Sequence, residues 1–382
     1  MITLPTLDGG LREYAPREPV PWPKPAAPPV SRIAFAAAHV VADPLGDNGP
    51  GAPAVIDWEH TLGFRRHLWS YGLGVAEAMD TAQRGMGLDW AATRELIRRS
   101  SAEAKAVGGR IAAGAGTDHA DATTLDEVVR AYAEQFDVVQ DAGAQVVVMA
   151  SRHLARLATG PADYRHVYDR LLPNAHAPVV LHWLGPVFDR ALEGYWGSAD
   201  VGEATAALLD LVHAHAAHVD GVKVSLLDAE HERSLRAALP AGVRLYTGDD
   251  FHYPELIKGD GTAASDALLG IFAAIAPAAS AALRALDDGD PAAYDAAFAP
   301  TLPLARHVFG APTHYYKTGI AFLAWLSGLQ PGFTMVGGLQ SARSLPHLAE
   351  TYVLADQAGL IPDPELALHR LSSLLDVHGV VR

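Results

Sequence analysis

His218-Val219-Asp220-Gly221-Val222-Lys223-Val224-Ser225-Leu226-Leu227 is the stretch on which the reading of this chain turns. Its β-branched pattern predicts a buried strand, yet a lysine stands at its centre. The chain has 29 Lys+Arg, of which five are lysines: Lys24, Lys105, Lys223, Lys258 and Lys317. Wherever a generic surface cation is wanted, arginine is used. A lysine in apolar surroundings loses solvation of its charged form, so its pKa falls and the free amine becomes available. That is how an imine-forming nucleophile is prepared. The alternative is a lysine at a strand end with its head in water.

Outward from this strand the chain alternates short apolar runs with helical patterns. The runs fall at 33–38, 74–79, 110–113, 145–150, 178–183, 221–225 and 243–247, with a weak eighth at 260–264. Helix-like stretches lie between them at 91–107, 124–142, 164–172, 203–218 and 229–239. Thr124 and Glu127 form a capping-box pattern at the start of the second. Eight strand–helix units in series predict an α/β fold, a (β/α)8 TIM barrel. An open doubly wound sheet is less favoured, because no Gly-x-Gly-x-x-Gly turn follows the first strand. Residues 1–30 are a proline-rich lead-in, expected to be extended and loose or draped on the surface. Residues 31–285 hold the barrel. After the polar break Asp287-Asp288-Gly289-Asp290-Pro291, residues 286–382 read as a C-terminal helical extension, with helices at 315–326 and 345–358.

The composition narrows the function. With 382 residues, 49% apolar, the chain can bury a large core. A net charge of −15 argues against nucleic-acid and anionic-membrane partners. The absence of cysteine excludes disulfides, thiolate metal sites and a cysteine nucleophile. Residues 1–5 show no secretory pattern, and no apolar run approaches the roughly 20 residues of a membrane span. A soluble cytoplasmic protein is the expectation.

In such a barrel the reactive groups sit at the C-terminal ends of the strands. Those ends carry His39; Asp80, Thr81 and Gln83; Thr117, Asp118 and His119; Ser151, Arg152 and His153; His182 and Trp183; Lys223; and Thr247-Gly248-Asp249-Asp250. Several of these stretches, in order, resemble the dihydrodipicolinate synthase / N-acetylneuraminate lyase family of class I aldolases. They are Ile56-Asp57-Trp58-Glu59, Ala113-Gly114-Ala115-Gly116, Pro178-Val179-Val180-Leu181-His182-Trp183, Asp220-Gly221-Val222-Lys223, Thr247-Gly248-Asp249-Asp250 and Lys258-Gly259-Asp260-Gly261. The resemblance covers residues 31 to 285. It implies a Schiff-base lysine at Lys223, a small-molecule carbonyl substrate, no dissociable cofactor, and a homotetramer or homodimer.

The chain also departs from that family, which points to a divergent branch. Where the family has a Gly-Thr-Thr-Gly-Glu loop for the substrate carboxylate, this chain has Met79-Asp80-Thr81-Ala82-Gln83. Asp80 would repel a carboxylate unless Arg84 or Arg152 compensates, or the substrate presents hydroxyls there. The family's proton-shuttling tyrosine on the fifth strand is replaced by His182, which can do acid–base work near neutral pH. Its tyrosine after the fourth strand falls near His153. The loop carrying Gly185-Pro186-Val187-Phe188-Asp189 and then Gly194-Tyr195-Trp196-Gly197 reads as an aromatic insert that covers the pocket or meets a neighbouring subunit.

The expected enzyme is therefore a lyase, with Lys223 the nucleophile and His182 the acid–base group. Asp80, Thr81, Gln83, Arg152, His153 and His39 would contact substrate, and Thr247 and Gly248 would line the floor near the imine. Two alternatives stay open. One is a metal-assisted sugar lyase or isomerase with His39, His153 and His182 converging with Asp80 or Glu77 on a divalent ion. The other is a non-catalytic barrel that binds a sugar acid. Asp249-Asp250 reads as a turn and cap, Val336-Gly337-Gly338-Leu339 as a turn, and Tyr315-Tyr316-Lys317 as packing or an interface on a helix able to reach the barrel mouth.

Overall fold

The computed structural model describes residues 1–79 and 83–380. A two-stranded antiparallel hairpin, β1 (Ile2–Pro5) and β2 (Leu11–Tyr14), precedes a closed barrel of eight parallel strands. These are β3 (Ala34–Ala37), β4 (Gly74–Glu77), β5 (Ile111–Ala115), β6 (Gln145–Val148), β7 (Val179–Leu184), β8 (Val219–Ser225), β9 (Arg244–Thr247) and β10 (Asp266–Leu269). They pair in sequence order, and β10 closes on β3. The barrel helices are α1 (Trp58–Ser70), α2 (Trp90–Val107), α3 (Leu125–Asp141), α4 (Arg152–Leu157), α5 (Pro161–Leu171), α6 (Val201–Ala214), α7 (Ala229–Ala238), α8 (Tyr253–Lys258) and α9 (Phe272–Asp287). The extension adds α10 (Pro291–Phe298), α11 (Leu302–Val308), α12 (Tyr316–Leu326), α13 (Leu345–Gln357) and α14 (Pro364–Val377). The (β/α)8 barrel with C-terminal helices is thus the observed architecture.

Strand alternation sorts the side chains. Phe35, Ala37, Ala76, Ala112, Val147, Met149, Val180, Tyr246 and Leu268 form one packed cluster inside the barrel. Val222 and Val224 belong instead to the larger core between strands and helices. On β8, Gly221, Lys223 and Ser225 therefore face inward. Gly221 is glycine because the Tyr246 ring fills its space: an added Cβ would lie 2.7 Å from that ring.

Helix starts are fixed by local chemistry. The Thr124 hydroxyl accepts from the Glu127 N–H while the Glu127 carboxylate returns the favour, the capping box read from the sequence. Asp57, Asp89, Asp200 and Asp228 cap α1, α2, α6 and α7 by accepting from backbone N–H groups of the first turn.

One expectation is corrected and another narrowed to its draped alternative. The eighth strand is Asp266–Leu269 and not 260–264. Gly259 and Gly261 take positive φ, and the Asp260 carboxylate accepts from the N–H groups of Thr262 and Ala263, so residues 259–263 form a turn. The lead-in is also more ordered than its prolines suggest. Its hairpin buries Ile2 and Leu4, the Tyr14 hydroxyl donates to Asp356, and Trp22 Nε1 donates to the Gly359 carbonyl. It lies on the C-terminal extension. Among the described residues, no helix is long and apolar enough to cross a membrane.

Candidate active site

The barrel centre holds an amine beside an imidazole. In register, His182 on β7 is the partner of Lys223 on β8, which is the partner of Tyr246 on β9. Lys223 Nζ is 3.1 Å from His182 Nε2, and the same nitrogen is 3.4 Å from Ser225 Oγ. Both side chains are buried, at 9% and 2% exposure. A proton held by either nitrogen can be handed to the other without movement of the backbone. The Lys223 stem is clamped by Gly248, where an added Cβ would stand 2.9 Å from Lys223 Cε and 2.2 Å from Ser225 Oγ. Tyr246, whose hydroxyl donates to Asp220 at 2.6 Å, lies on the floor side.

A cavity of about 1430 Å³ opens at the C-terminal mouth over the ends of β5, β6 and β7, and Lys223 and His182 lie outside its lining. Leu184, Gly116, Ser151, Arg152 and His153 contribute to its wall, and the extension adds Thr313–Tyr315. His153 Nδ1 is 3.0 Å from Thr117 Oγ1, which is 2.7 Å from Ser151 Oγ. Burial, then the nearby Arg156, pushes the His153 pKa below its ordinary value. Arg152 pairs with Asp189 across the rim and is otherwise exposed.

Other expected residues take different places. Asp80 and Thr81 lie outside the described residues. Gln83 is fully buried, and its side-chain carbonyl accepts from the Val40 N–H at 3.1 Å. His39 is sealed between barrel and extension, with Nε2 2.7 Å from Gln330 Oε1 and its ring 4.5 Å from that of Phe64. Burial drives its pKa down to about 3, so the ring is neutral and away from the cavity wall. Thr247 is turned outward, because its inward neighbours Tyr246 and Gly248 fix the parity of the strand. Its hydroxyl donates to Glu232 at 2.9 Å. Of the floor pair, Gly248 lies against the Lys223 stem and Thr247 does not. Arg84 is likewise committed: it forks onto Asp118 at 2.7 and 3.0 Å. Against the cost of burial, that pairing holds the Asp118 pKa down to about 2.

The proposed ion ligands are separately engaged: His39 with Gln330, His153 with Thr117, and Glu77 with Arg65 at 2.8 Å through both carboxylate oxygens. Among the described residues, no group of three or more His, Asp or Glu could hold a metal ion. Of the aromatic insert, Pro186, Val187, Phe188 and Asp189 line the cavity, whereas its Tyr-Trp pair does not. Tyr195 and Trp196 are buried against Tyr164 and Tyr168, and the Tyr195 hydroxyl accepts from the Ser151 N–H at 3.1 Å.

Two residues near the centre escaped the sequence reading. Asp249 is the cap it was expected to be, accepting from the N–H groups of Phe251 and His252. Asp250 instead points to the barrel end, accepts from the Ile271 N–H at 2.8 Å and feels the charges of both Lys223 and Lys317. Lys317 was treated as packing. Its one available signal was the rarity of lysine, within the otherwise apolar helix α12.

The family described as "Protein of unknown function (DUF993)" matches residues 2–380. No curated protein matched the chain. Similar solved structures include YagE, a prophage protein of E. coli belonging to the dihydrodipicolinic acid synthase family, solved with pyruvate. It is 16% identical at a TM-score of 0.67, over 86% of this chain and 99% of that one. Dihydrodipicolinate synthase from Aquifex aeolicus is 12% identical at a TM-score of 0.65, over 86% and 99%. The enzyme from Bacteroides thetaiotaomicron is 16% identical at 0.64, over 85% and 99%. The barrel fold is shared with these solved structures, as the sequence resemblance implied.

Proposed function

We propose that this chain, which belongs to the DUF993 family, is a Schiff-base-forming lyase of the class I aldolase kind, acting on a 2-oxo acid or keto-sugar acid through Lys223. The observation that carries the reading is the buried Lys223 amine 3.1 Å from His182, at the centre of a barrel whose mouth holds a large cavity. The fold shared with pyruvate-bound YagE supports it.

Neutral Lys223 attacks the ketone carbon and forms a carbinolamine. His182 passes a proton to the departing hydroxyl, which leaves as water, and the iminium remains. That cation draws electrons from the adjacent C–C bond. In cleavage, the substrate hydroxyl one carbon further on gives up its proton, the C–C bond breaks to release an aldehyde, and the electron pair rests as an enamine. Protonation of the enamine carbon and hydrolysis of the imine return Lys223. In the dehydration variant, a proton leaves the carbon beside the iminium and a β-hydroxyl departs as water. No dissociable cofactor is required.

Arg152 and His153 on the wall are the proposed contacts for the far end of the substrate, and Asp80 and Thr81, outside the described residues, are proposed as further contacts. The cavity exceeds the ordinary range of roughly 300–1,000 Å³ for small-molecule sites, which suits a hydroxylated chain longer than a three-carbon acid. A homotetramer or homodimer is proposed, and light scattering of the purified chain reads it directly.

The test is intact-protein mass after borohydride reduction with pyruvate, several 2-oxo sugar acids and keto-sugars, beside a Lys223→Ala control. A ligand-dependent mass gain confined to the wild type is expected, and the gain identifies the bound fragment. No gain with any of them overturns the imine.

A further inference from the structure

Lys317 has no part in the chemistry above, yet at 2% exposure it is more deeply buried than Lys223. It stands in the first turn of α12, among Tyr316, Ile320, Phe322 and Leu323, which are all buried. The helix is seated directly on the barrel end: a Cβ on Gly270, just beyond β10, would lie 2.7 Å from both the Phe309 and Tyr316 rings. From there Lys317 Nζ donates to the carbonyl of Ala37, the last residue of β3, whose side chain faces the barrel interior. A buried ammonium is costly unless charge and hydrogen bonds meet it.

The charged groups that face Lys317 are Asp250, Arg65, Glu77 and Lys223, and His39 feels its charge in turn. Arg65 and Glu77 satisfy each other through two hydrogen bonds, and His39 is neutral. Tyr316 offers its ring at 4.9 Å. That leaves Asp250 as the group whose charge answers Lys317 from the barrel side. Asp250 also acts on Lys223, which has His182 at 3.1 Å, and Asp249 acts on Asp250 in turn.

We propose that Lys317 is a positioning residue for Lys223: the C-terminal extension inserts a second amine into the barrel end, and its charge, set against Asp250, governs the protonation state in which Lys223 meets the substrate. The proposal rests on the imine reading for its purpose but not for its test. Burial lowers the Lys317 pKa to about 7 and raises that of Asp250 to about 7, so both groups respond near neutrality. A positive charge on either lysine disfavours one on the other, and Asp250 works in the opposite sense.

The experiment reads Lys223 without any substrate. Acetylation of the Lys223 peptide by acetic anhydride is followed by mass spectrometry against pH. Lys317→Met is expected to raise the midpoint by about one unit, a tenfold loss of free amine at neutral pH. Asp250→Asn, which still accepts from Ile271, is expected to lower it, and Lys317→Arg, charged at every pH, not to raise it. A purely structural role would not move the two midpoints in opposite directions. Unchanged midpoints, or shifts in the same direction, overturn the proposal. Where Lys317→Met does not fold by circular dichroism, the wild-type profile decides: an inflection for Lys223 near pH 7 supports the coupling, and a single titration removes it. Borohydride trapping run beside these separates the two ideas, since an untrapped Lys223 that still responds to position 317 sinks the imine alone.

Discussion

Gly248→Ala should damage the site through one methyl group. The backbone at Gly248 has no positive φ, so the effect is steric and not conformational. The added Cβ would lie 2.2 Å from Ser225 Oγ, 2.6 Å from the Val224 carbonyl oxygen and 2.9 Å from Lys223 Cε. The serine hydroxyl can rotate, but the carbonyl belongs to the barrel ladder and cannot. Ordinary heavy-atom contact begins near ~3.5 Å, so the lysine stem must give by about half an ångström and the strands must part slightly. Overpacking of this kind costs about 1–3 kcal/mol, and a misplacement approaching 1 Å costs about 10²-fold in rate. Borohydride trapping of Lys223 should slow by one to two orders of magnitude, with Tm lowered by a few degrees. Gly160→Ala is the matched control, because nothing lies within 4 Å of its Cβ and its φ of 176° is extended. If Gly248→Ala traps as fast as the wild type with unchanged Tm, Lys223 is not held as described.

Replacing His182 with Gln should slow imine formation, so that borohydride trapping and turnover fall together by about 10²–10⁴-fold; single-turnover kinetics read the imine step directly. Glu232 is buried and its pKa is raised to about 7, with hydrogen bonds from Ser265 and Thr247 only partly offsetting the cost of burial. The folded state therefore holds this proton where the unfolded chain has released it. Stability on this account is fullest below the ordinary carboxylate value and is lost as pH rises toward 7. Glu232→Gln should flatten Tm between pH 5 and 8 and raise it at pH 8, as read by calorimetry. Glu77→Ala leaves Arg65 as a buried, unpaired guanidinium and should cost about 3–5 kcal/mol in urea denaturation.

What the sequence disclosed follows from range. The capping box at Thr124 and Glu127 is local, so it was legible; so was the inward lysine, because apolar alternation around Lys223 sets its face. The eighth strand slipped because Gly259 and Gly261 compete with the apolar pattern for the same residues. Thr247 and Gly248 were paired as floor residues, yet adjacent positions on a strand face opposite sides, and only one can line the interior. The hairpin at Ile2–Tyr14 was hidden by the prolines that follow it. Lys317 and Asp250 could not be joined by inspection, since 67 positions apart in the sequence they come within electrostatic reach only once α12 is seated on the barrel. His39 looked reactive at a strand end; the extension that covers it is what makes it inert.

The tyrosine–tryptophan cluster behind β7 carries a consequence for selectivity. Tyr195 reaches through it to tether Ser151, and Tyr168 Oη lies 3.1 Å from Tyr195 Oη. The side of the mouth that bears Arg152 and His153 is thereby braced from behind by rings, as a masonry buttress holds a wall. A ligand too wide for that gap cannot push it outward without first breaking an aromatic core. On the proposed reading, discrimination by girth is built into the scaffold, and an altered substrate range calls for changes at Tyr164, Tyr168 or Trp196, behind the wall that bears Arg152 and His153.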